Sequence, residues 1–318
     1  MQTQEVTFFS EGVRLAALWR TPDVVDGPMP TVIQGPGWLG LKDANLYVPY
    51  HQALTDAGFG VLIFDYRGFG DSDGDRARLS FAGQLLDLVN GVSYLTTRDD
   101  VDPERLGVFG SGGTGGGNAV LLAAADSRIR AAVSQLPVAD GQDWLHRMRT
   151  EYEWLDFLQL LDQDRRDRAV TGFGRSVHPR EEIMVPTPER RATTMKADVD
   201  HLIPSAVSLA AADEILGYQP IIAARGLRTP LLVIAVDNDA TTPTDHARAI
   251  FDAAGGPKEY ILQRHTTHYA AYDRYRETVT PRIIDWFHRH LCSGSVEIHT
   301  ATTDSATVKH LKGNSNAD

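Results

Sequence analysis

Hydrophobic and polar positions alternate along the chain between two periods. Gly60 to Phe64 (GVLIF), Leu106 to Phe109, Arg130 to Gln135 (RAAVSQ) and Leu231 to Val236 are short, nearly unbroken apolar runs, as strands buried on both faces require. Thr31 to Gln34 reads the same way. Between these runs, Tyr47 to Ala57, Phe81 to Thr96, Gly115 to Asp126 and Thr244 to Ala254 carry helical spacing. Near the start, Glu5 to Arg20 predicts two short strands about the turn Ser10-Glu11-Gly12, with Val13, Leu15 and Ala17 alternating afterwards. Glu259 to Leu262 predicts a last strand, and Pro281 to Leu291 a closing amphipathic helix. Strand and helix in alternation with short connections predict an α/β fold: a mostly parallel sheet, right-handed crossovers and helices on both faces.

The rhythm breaks after Pro137. Residues 139–224 are aromatic and charged, with Trp144, Tyr152, Trp154 and Phe157 at helical spacing and a proline-bearing stretch, Val185-Pro186-Thr187-Pro188. This segment of roughly 85 residues predicts an inserted helical cap, its aromatics forming the cap's own core. The main domain is then residues 1–138 with 225–292. Residues 293–318, rich in Ser, Thr and Asn, are expected to be a mobile tail.

Composition narrows the partners. The chain has 318 residues and a formal net charge of -11, which argues against a nucleic-acid groove or an anionic membrane surface. Cys292 is the single cysteine, so neither a disulfide framework nor a cysteine-built metal site is available. Neither a secretory signal nor an apolar run of membrane-spanning length stands out, so a cytoplasmic location is expected. A small-molecule partner with no metal or organic cofactor fits best, and a homodimer is left open.

The chemistry concentrates on Leu106 to Asn118, LGVFGSGGTGGGN, where a strand runs through glycines into a helix. Asp239 follows the Leu231 strand in Asp237-Asn238-Asp239-Ala240-Thr241-Thr242-Pro243, at the carboxyl end where such sheets place ligands. His268 follows the last strand in Arg264-His265-Thr266-Thr267-His268-Tyr269. A carboxylate there would fix the imidazole tautomer, and the histidine would move protons. Structural roles compete with this: Asp239 as a helix cap, His268 as a core histidine, His265 as the rival imidazole. Asp65 and Arg67 are expected to tie the loop after their own strand, and Arg147 and Arg149 to be solvated.

These ordered motifs resemble α/β-hydrolases of the bacterial esterase and peptidase-like group, and also the branch containing fungal polyketide-processing hydrolases. The likeness covers Val6 to Leu291 and rests on the glycine-rich loop Gly35 to Gly40, the Asp65 to Gly74 loop, the turn after Phe109 and the Asp239 to Pro243 segment. It implies a nucleophile elbow of the form Gly-x-Ser-x-(Ser/Thr)-Gly-Gly. Aligning Gly110, Thr114, Gly115 and Gly116 on that pattern puts Gly112 where the serine belongs. Ser111 is then the alternative nucleophile, although Phe109 would fill the glycine site two residues upstream; Thr114 lies too far past the strand. The resemblance implies an oxyanion hole from the backbone N–H groups of Gly113 and Trp38, with Trp144 and Tyr269 in substrate binding. Asp239 and His268 beside Gly112 could deprotonate water directly, hydrolysing an ester or a carbon–carbon bond next to a ketone without a serine. A lyase, isomerase or cyclase using the same histidine, a ligand-binding pseudoenzyme, and an ordinary serine hydrolase using Ser111 are the alternatives. Gly110-Ser-Gly112-Gly-Thr-Gly115 also satisfies the dinucleotide fingerprint, but the acidic residue expected about twenty positions on is absent from Ser134-Gln135-Leu136.

Overall fold

Strands β1 (Gln2–Ser10) and β2 (Val13–Thr21) pair antiparallel about the Glu11-Gly12 turn in the computed structural model, which describes residues 1–292. The tail expected at 293–318 lies outside the described residues. Next come β3 (Met29–Gly35), α1 (Val48–Asp56), β4 (Gly60–Phe64), α2 (Phe81–Leu95), β5 (Val101–Ser111), α3 (Gly113–Ala125) and β6 (Ile129–Gln135). Strand β5 is longer than its apolar run, because Val101 begins pairing with Met29 before the register shifts. After residue 224 the alternation resumes with β9 (Leu231–Val236), α9 (Thr244–Ala253), β10 (Lys258–Gln263), α10 (His268–Tyr272) and α11 (Thr280–Phe287).

The eight strands lie in the order β1-β2-β4-β3-β5-β6-β9-β10, parallel from β4 onward. This is an α/β-hydrolase sheet, mostly parallel, with both faces covered. Alternate side chains separate into two cores: Val32, Phe109 and Val133 pack toward α1 and α11 on one face, while Ile33, Val108 and Ala132 face the other side. Burial on both faces is why these strands read as continuous apolar runs. Chain order reverses between the parallel neighbours β3 and β5: the strand after β3 is added on one side and the strand after β5 on the other. Ligands bind such sheets in the crevice at the carboxyl ends of those strands, and both the Gly35 to Gly40 loop and the Gly112 bend emerge there.

Between β6 and β9 the chain leaves the sheet for α4 (Gly141–Arg147), α5 (Glu151–Thr171), a small hairpin β7 (Ser176–Val177) with β8 (Val207–Ser208), and the short helices α6 (Pro188–Ala192), α7 (Ala210–Leu216) and α8 (Pro220–Ala224). The capping box of Thr150 and Glu153 starts α5, and Gly172 at φ 81° ends it. Trp154 and Phe157 are buried as expected of a local core, but Tyr152 is 83% exposed: it sits on the solvent face of α5 and belongs to no core. Arg147 is solvated and pairs with Asp143 and Asp245. Arg149 departs from the expectation. It donates to the carbonyls of Leu145, Glu182 and Ile183 and lies 3.9 Å over the Phe157 ring, bracing the insertion. The insertion is fastened to the sheet layer by Tyr218, whose hydroxyl donates to the Thr114 carbonyl at 3.0 Å and lies 2.9 Å from Asn118 Oδ1. No helix among the described residues is long and apolar enough to cross a membrane.

Candidate active site

The bend at Gly112 is built by close approach. Gly110 lets β5 and α3 meet, since a Cβ there would fall 2.0 Å from the Gly115 carbonyl oxygen. Gly112 itself has φ 80° and ψ 162°, a region almost reserved for glycine. Crowding is not the reason for a glycine at that point: a Cβ would meet nothing nearer than Tyr272 Oη at 3.5 Å and Gly37 Cα at 3.9 Å. The Gly112 N–H is taken by the Gln135 carbonyl at 3.0 Å. Gly113 opens α3, so its N–H has no acceptor within the helix and points out of the first turn.

Asp239 and His268 come together. His268 Nδ1 lies 2.7 Å from Asp239 Oδ2 and 3.0 Å from Thr242 Oγ1, so the Nδ1–H donates to the carboxylate and Nε2 keeps its lone pair. The other oxygen, Asp239 Oδ1, accepts the N–H groups of Thr241 at 2.7 Å and Thr242 at 2.9 Å. Burial works against ionisation of Asp239, but His268 and the two amides outweigh it and hold the carboxyl below its usual range. Asp239 therefore shapes its own turn and orients the histidine at once; the capping role and the catalytic geometry are not alternatives. His265 is exposed at φ 58° and stands apart from this pair.

A cavity joins these parts. Its sheet-side wall holds Gly37, Trp38, Gly112, Gly113, Thr242 and His268. Trp144 and Tyr269, assigned to substrate binding from the sequence, also line it. Trp144 donates Nε1–H to the Thr241 carbonyl at 2.8 Å and stands edge-on to Trp38 at 6.2 Å, so it steadies the acid loop as well. Tyr269 stands edge-on to His268 at 4.9 Å, and burial pushes its hydroxyl up to about 12.

Ser111 lies on the last position of β5, and its Oγ accepts from Gln34 Nε2 at 3.4 Å. Gln34 Oε1 in turn meets His51 Nε2 at 2.5 Å, and His51 Nδ1 meets Arg20, a buried polar chain running away from His268. Among the described residues no hydrogen bond joins Ser111 to His268. Thr114 Oγ1 is buried without a partner and does not line the cavity. Asp65 and Arg67 tie their loop: Asp65 accepts the N–H groups of Lys42 and Asp71, and Arg67 pairs with Asp87 at 2.6 Å. The carboxylates of Asp43, Asp65 and Asp71 converge on Lys42 Nζ, which stands 2.5, 3.4 and 2.6 Å from them.

Sequence reasoning missed Tyr272. It follows His268 by four residues, the spacing that puts two side chains on one helix face, and its ring stands edge-on to the imidazole at 5.4 Å. Its hydroxyl, buried and with no protein partner, lies beside the Gly112 bend. Burial first, then the charge of Asp239, raises its pKa well above the ordinary phenol value, so it stays a donor. Trp38 Nε1 and Thr241 Oγ1 are likewise buried without protein partners. Tyr272 Oη and Trp38 Nε1 thus leave donors without protein partners on residues that line the cavity.

The X-Pro dipeptidyl-peptidase (S15 family) pattern matches residues 11–270, most of the chain. The chain belongs to this family. An uncharacterized 31.7 kDa Escherichia coli protein from the traX-finO intergenic region is 31% identical over 288 residues, covering 89% of this chain and 97% of that protein. The quorum-quenching protein AidA of Acinetobacter baumannii is 28% identical over 255 residues, covering 76% of this chain and 80% of its own. In fold, the α/β hydrolase GrgF from Penicillium sp. sh18 superposes with a TM-score of 0.75 at 22% identity, over 92% of this chain and 100% of that one. The S15 family member described here is thus a hydrolase of the α/β-hydrolase superfamily.

Proposed function

We propose that the protein hydrolyses a small carbonyl compound, an ester or a carbon–carbon bond next to a ketone, by general-base catalysis without a side-chain nucleophile. One observation carries the reading: His268, held by the buried Asp239, lines a cavity beside the Gly112 bend, and no hydrogen bond among the described residues joins the imidazole to the Ser111 hydroxyl on the same wall. His268 Nε2 takes a proton from water as the water oxygen bonds to the carbonyl carbon. The N–H groups of Gly113 and Trp38 receive the developing negative charge. When the tetrahedral adduct collapses, the bond to the leaving alkoxide or enolate breaks, and His268 returns the proton to it. Tyr272, held protonated, lends a hydrogen bond to the same oxygen or leaving group. The absence of any hydrogen bond between Ser111 and His268 among the described residues favours this over ordinary serine hydrolysis, although Ser111 lines the same cavity.

The Tyr272 hydroxyl next to the bend also favours a second reading, proton transfer within the substrate by a lyase, isomerase or cyclase. Turnover in heavy-oxygen water separates the two. One solvent oxygen should enter the product of hydrolysis and no covalent acyl-enzyme should accumulate, whereas product free of solvent oxygen would transfer the assignment to proton transfer. His268→Ala should abolish turnover, and unchanged turnover would remove His268 from the mechanism. Loss of turnover in Ser111→Ala with normal binding would restore covalent chemistry.

A further inference from the structure

The insertion closes the cavity with cations. Arg180, Arg190 and Lys196 all line it, alongside His268 and Gly112. Arg180 holds Asp200 at 2.5 Å, and Arg190 reaches the other Asp200 oxygen only at 3.8 Å while its guanidinium lies 6.0 Å over the Tyr269 ring. Lys196 has no carboxylate within 4.0 Å among the described residues. The other nearby acids are engaged: Asp198 accepts the Asn45 N–H at 2.7 Å, and Glu189 accepts the Tyr269 N–H at 3.2 Å together with the Thr267 hydroxyl. Asp200 is therefore the one carboxylate that contacts Arg180 and Arg190 among the described residues, and no contacting acid compensates Lys196. Uncompensated positive charge in a lined cavity is costly unless a ligand supplies the counter-charge.

We propose that Arg190 and Lys196 form a carboxylate-binding subsite, so that the substrate is a carbonyl compound bearing a free carboxylate, such as a keto acid or a half-ester. This rests on the reading of the cavity as the substrate site. The substrate's carbonyl is held at the Gly112 bend and its carboxylate lies against the insertion. A guanidinium and an ammonium can bridge the two oxygens of one carboxylate, as Arg180 and Arg190 already flank those of Asp200. Met184 and Met195, on the same wall, offer apolar surface to the carbon chain between the two ends.

The ammonium is also tunable. Burial first, and then Arg180 and Arg190, push Lys196 down to about 7 against the opposing pull of Asp200 and Asp198. The remaining titratable groups on the cavity wall are His268, Tyr47, Tyr269 and Tyr272. A bound carboxylate favours the charged form, so affinity is greatest below that value and falls as pH rises through it.

The test is calorimetric titration with levulinate, a keto acid, and with its neutral methyl ester. Wild type should bind levulinate at least about tenfold more tightly than the ester. Lys196→Gln should remove that preference while binding the ester as before, and Lys196→Arg should keep it, which separates charge from folding. His268→Ala should still bind levulinate with the same fall from about pH 6 to about pH 8, because the subsite does not need the base. Turnover surviving in His268→Ala would defeat the catalytic reading and leave the subsite standing. Equal affinity of wild type for levulinate and its ester, absence of levulinate binding, undiminished preference in Lys196→Gln, or tighter binding of inorganic phosphate than of levulinate would overturn the proposal.

Discussion

The two walls of the cavity are built in different ways. On the sheet side, Asp239 and His268 follow strands directly, and backbone amides and a 2.7 Å bond hold their side chains. Across from them, Arg180, Arg190 and Lys196 come from the stretch between α5 and α7, where α6 has five residues and the Asp200–Leu202 turn has three. A buried parallel sheet leaves little freedom in where its strand ends point, whereas short helices joined by loops take their positions from side-chain bonds such as Arg180 to Asp200. The contrast suggests a division of labour. On the proposed reading, the groups that move protons are fixed by the core, and the groups that choose the substrate sit on short elements joined by loops.

Experiments can sharpen that division or break it. The largest effect is expected from Asp239→Asn, which leaves the imidazole without its orienting carboxylate and should lower kcat by about 10³ to 10⁴-fold with little change in KM. A comparable rise in KM would mean the acid also positions substrate. Tyr272→Phe removes one donor beside the bend and should cost about 10²-fold in kcat, measured at saturating substrate. An unaffected kcat would confine Tyr272 to packing. Gly112→Ser introduces a side chain that has room but a strained backbone, so a thermal or denaturant melt should show a loss of about 1–3 kcal/mol. The same variant should gain labelling by a fluorophosphonate that wild type resists; labelling of wild type would show that a nucleophile already exists. Smallest is Trp144→Phe, which removes the 2.8 Å bond between the insertion and the Thr241 carbonyl. It should destabilise the protein by about 1 kcal/mol and affect kcat and KM together, since this residue joins the two walls.

Much of the sheet side was legible because its signals are local. An apolar run followed by a short loop places the next residue at a strand end, and together with the resemblance to α/β-hydrolases that singled out Gly112, Asp239 and His268 before any coordinates. Tyr272 was within reach too, by its spacing of four from His268, but only once His268 begins a helix does that spacing mean a shared face. The insertion resisted. Arg149 and Tyr152 looked alike in their environment of mixed aromatic and charged residues, yet one became a buried brace and the other an exposed ring. Their fates depend on which elements pack against α5, and no period in the sequence records that.

Hydrophobic patterning alone determined the α/β architecture and the order of its elements, since a strand buried on both faces admits almost no polar side chains. It also determined that a glycine-rich turn stands at the end of a central strand. Only the tertiary structure decided which atoms meet there: that His268 turns Nδ1 toward Asp239, that a phenol stands beside Gly112, and that Arg180, Arg190 and Lys196 face the same cavity as His268. Such meetings depend on long-range packing, which brings together residues whose separation along the chain carries no information about their separation in space.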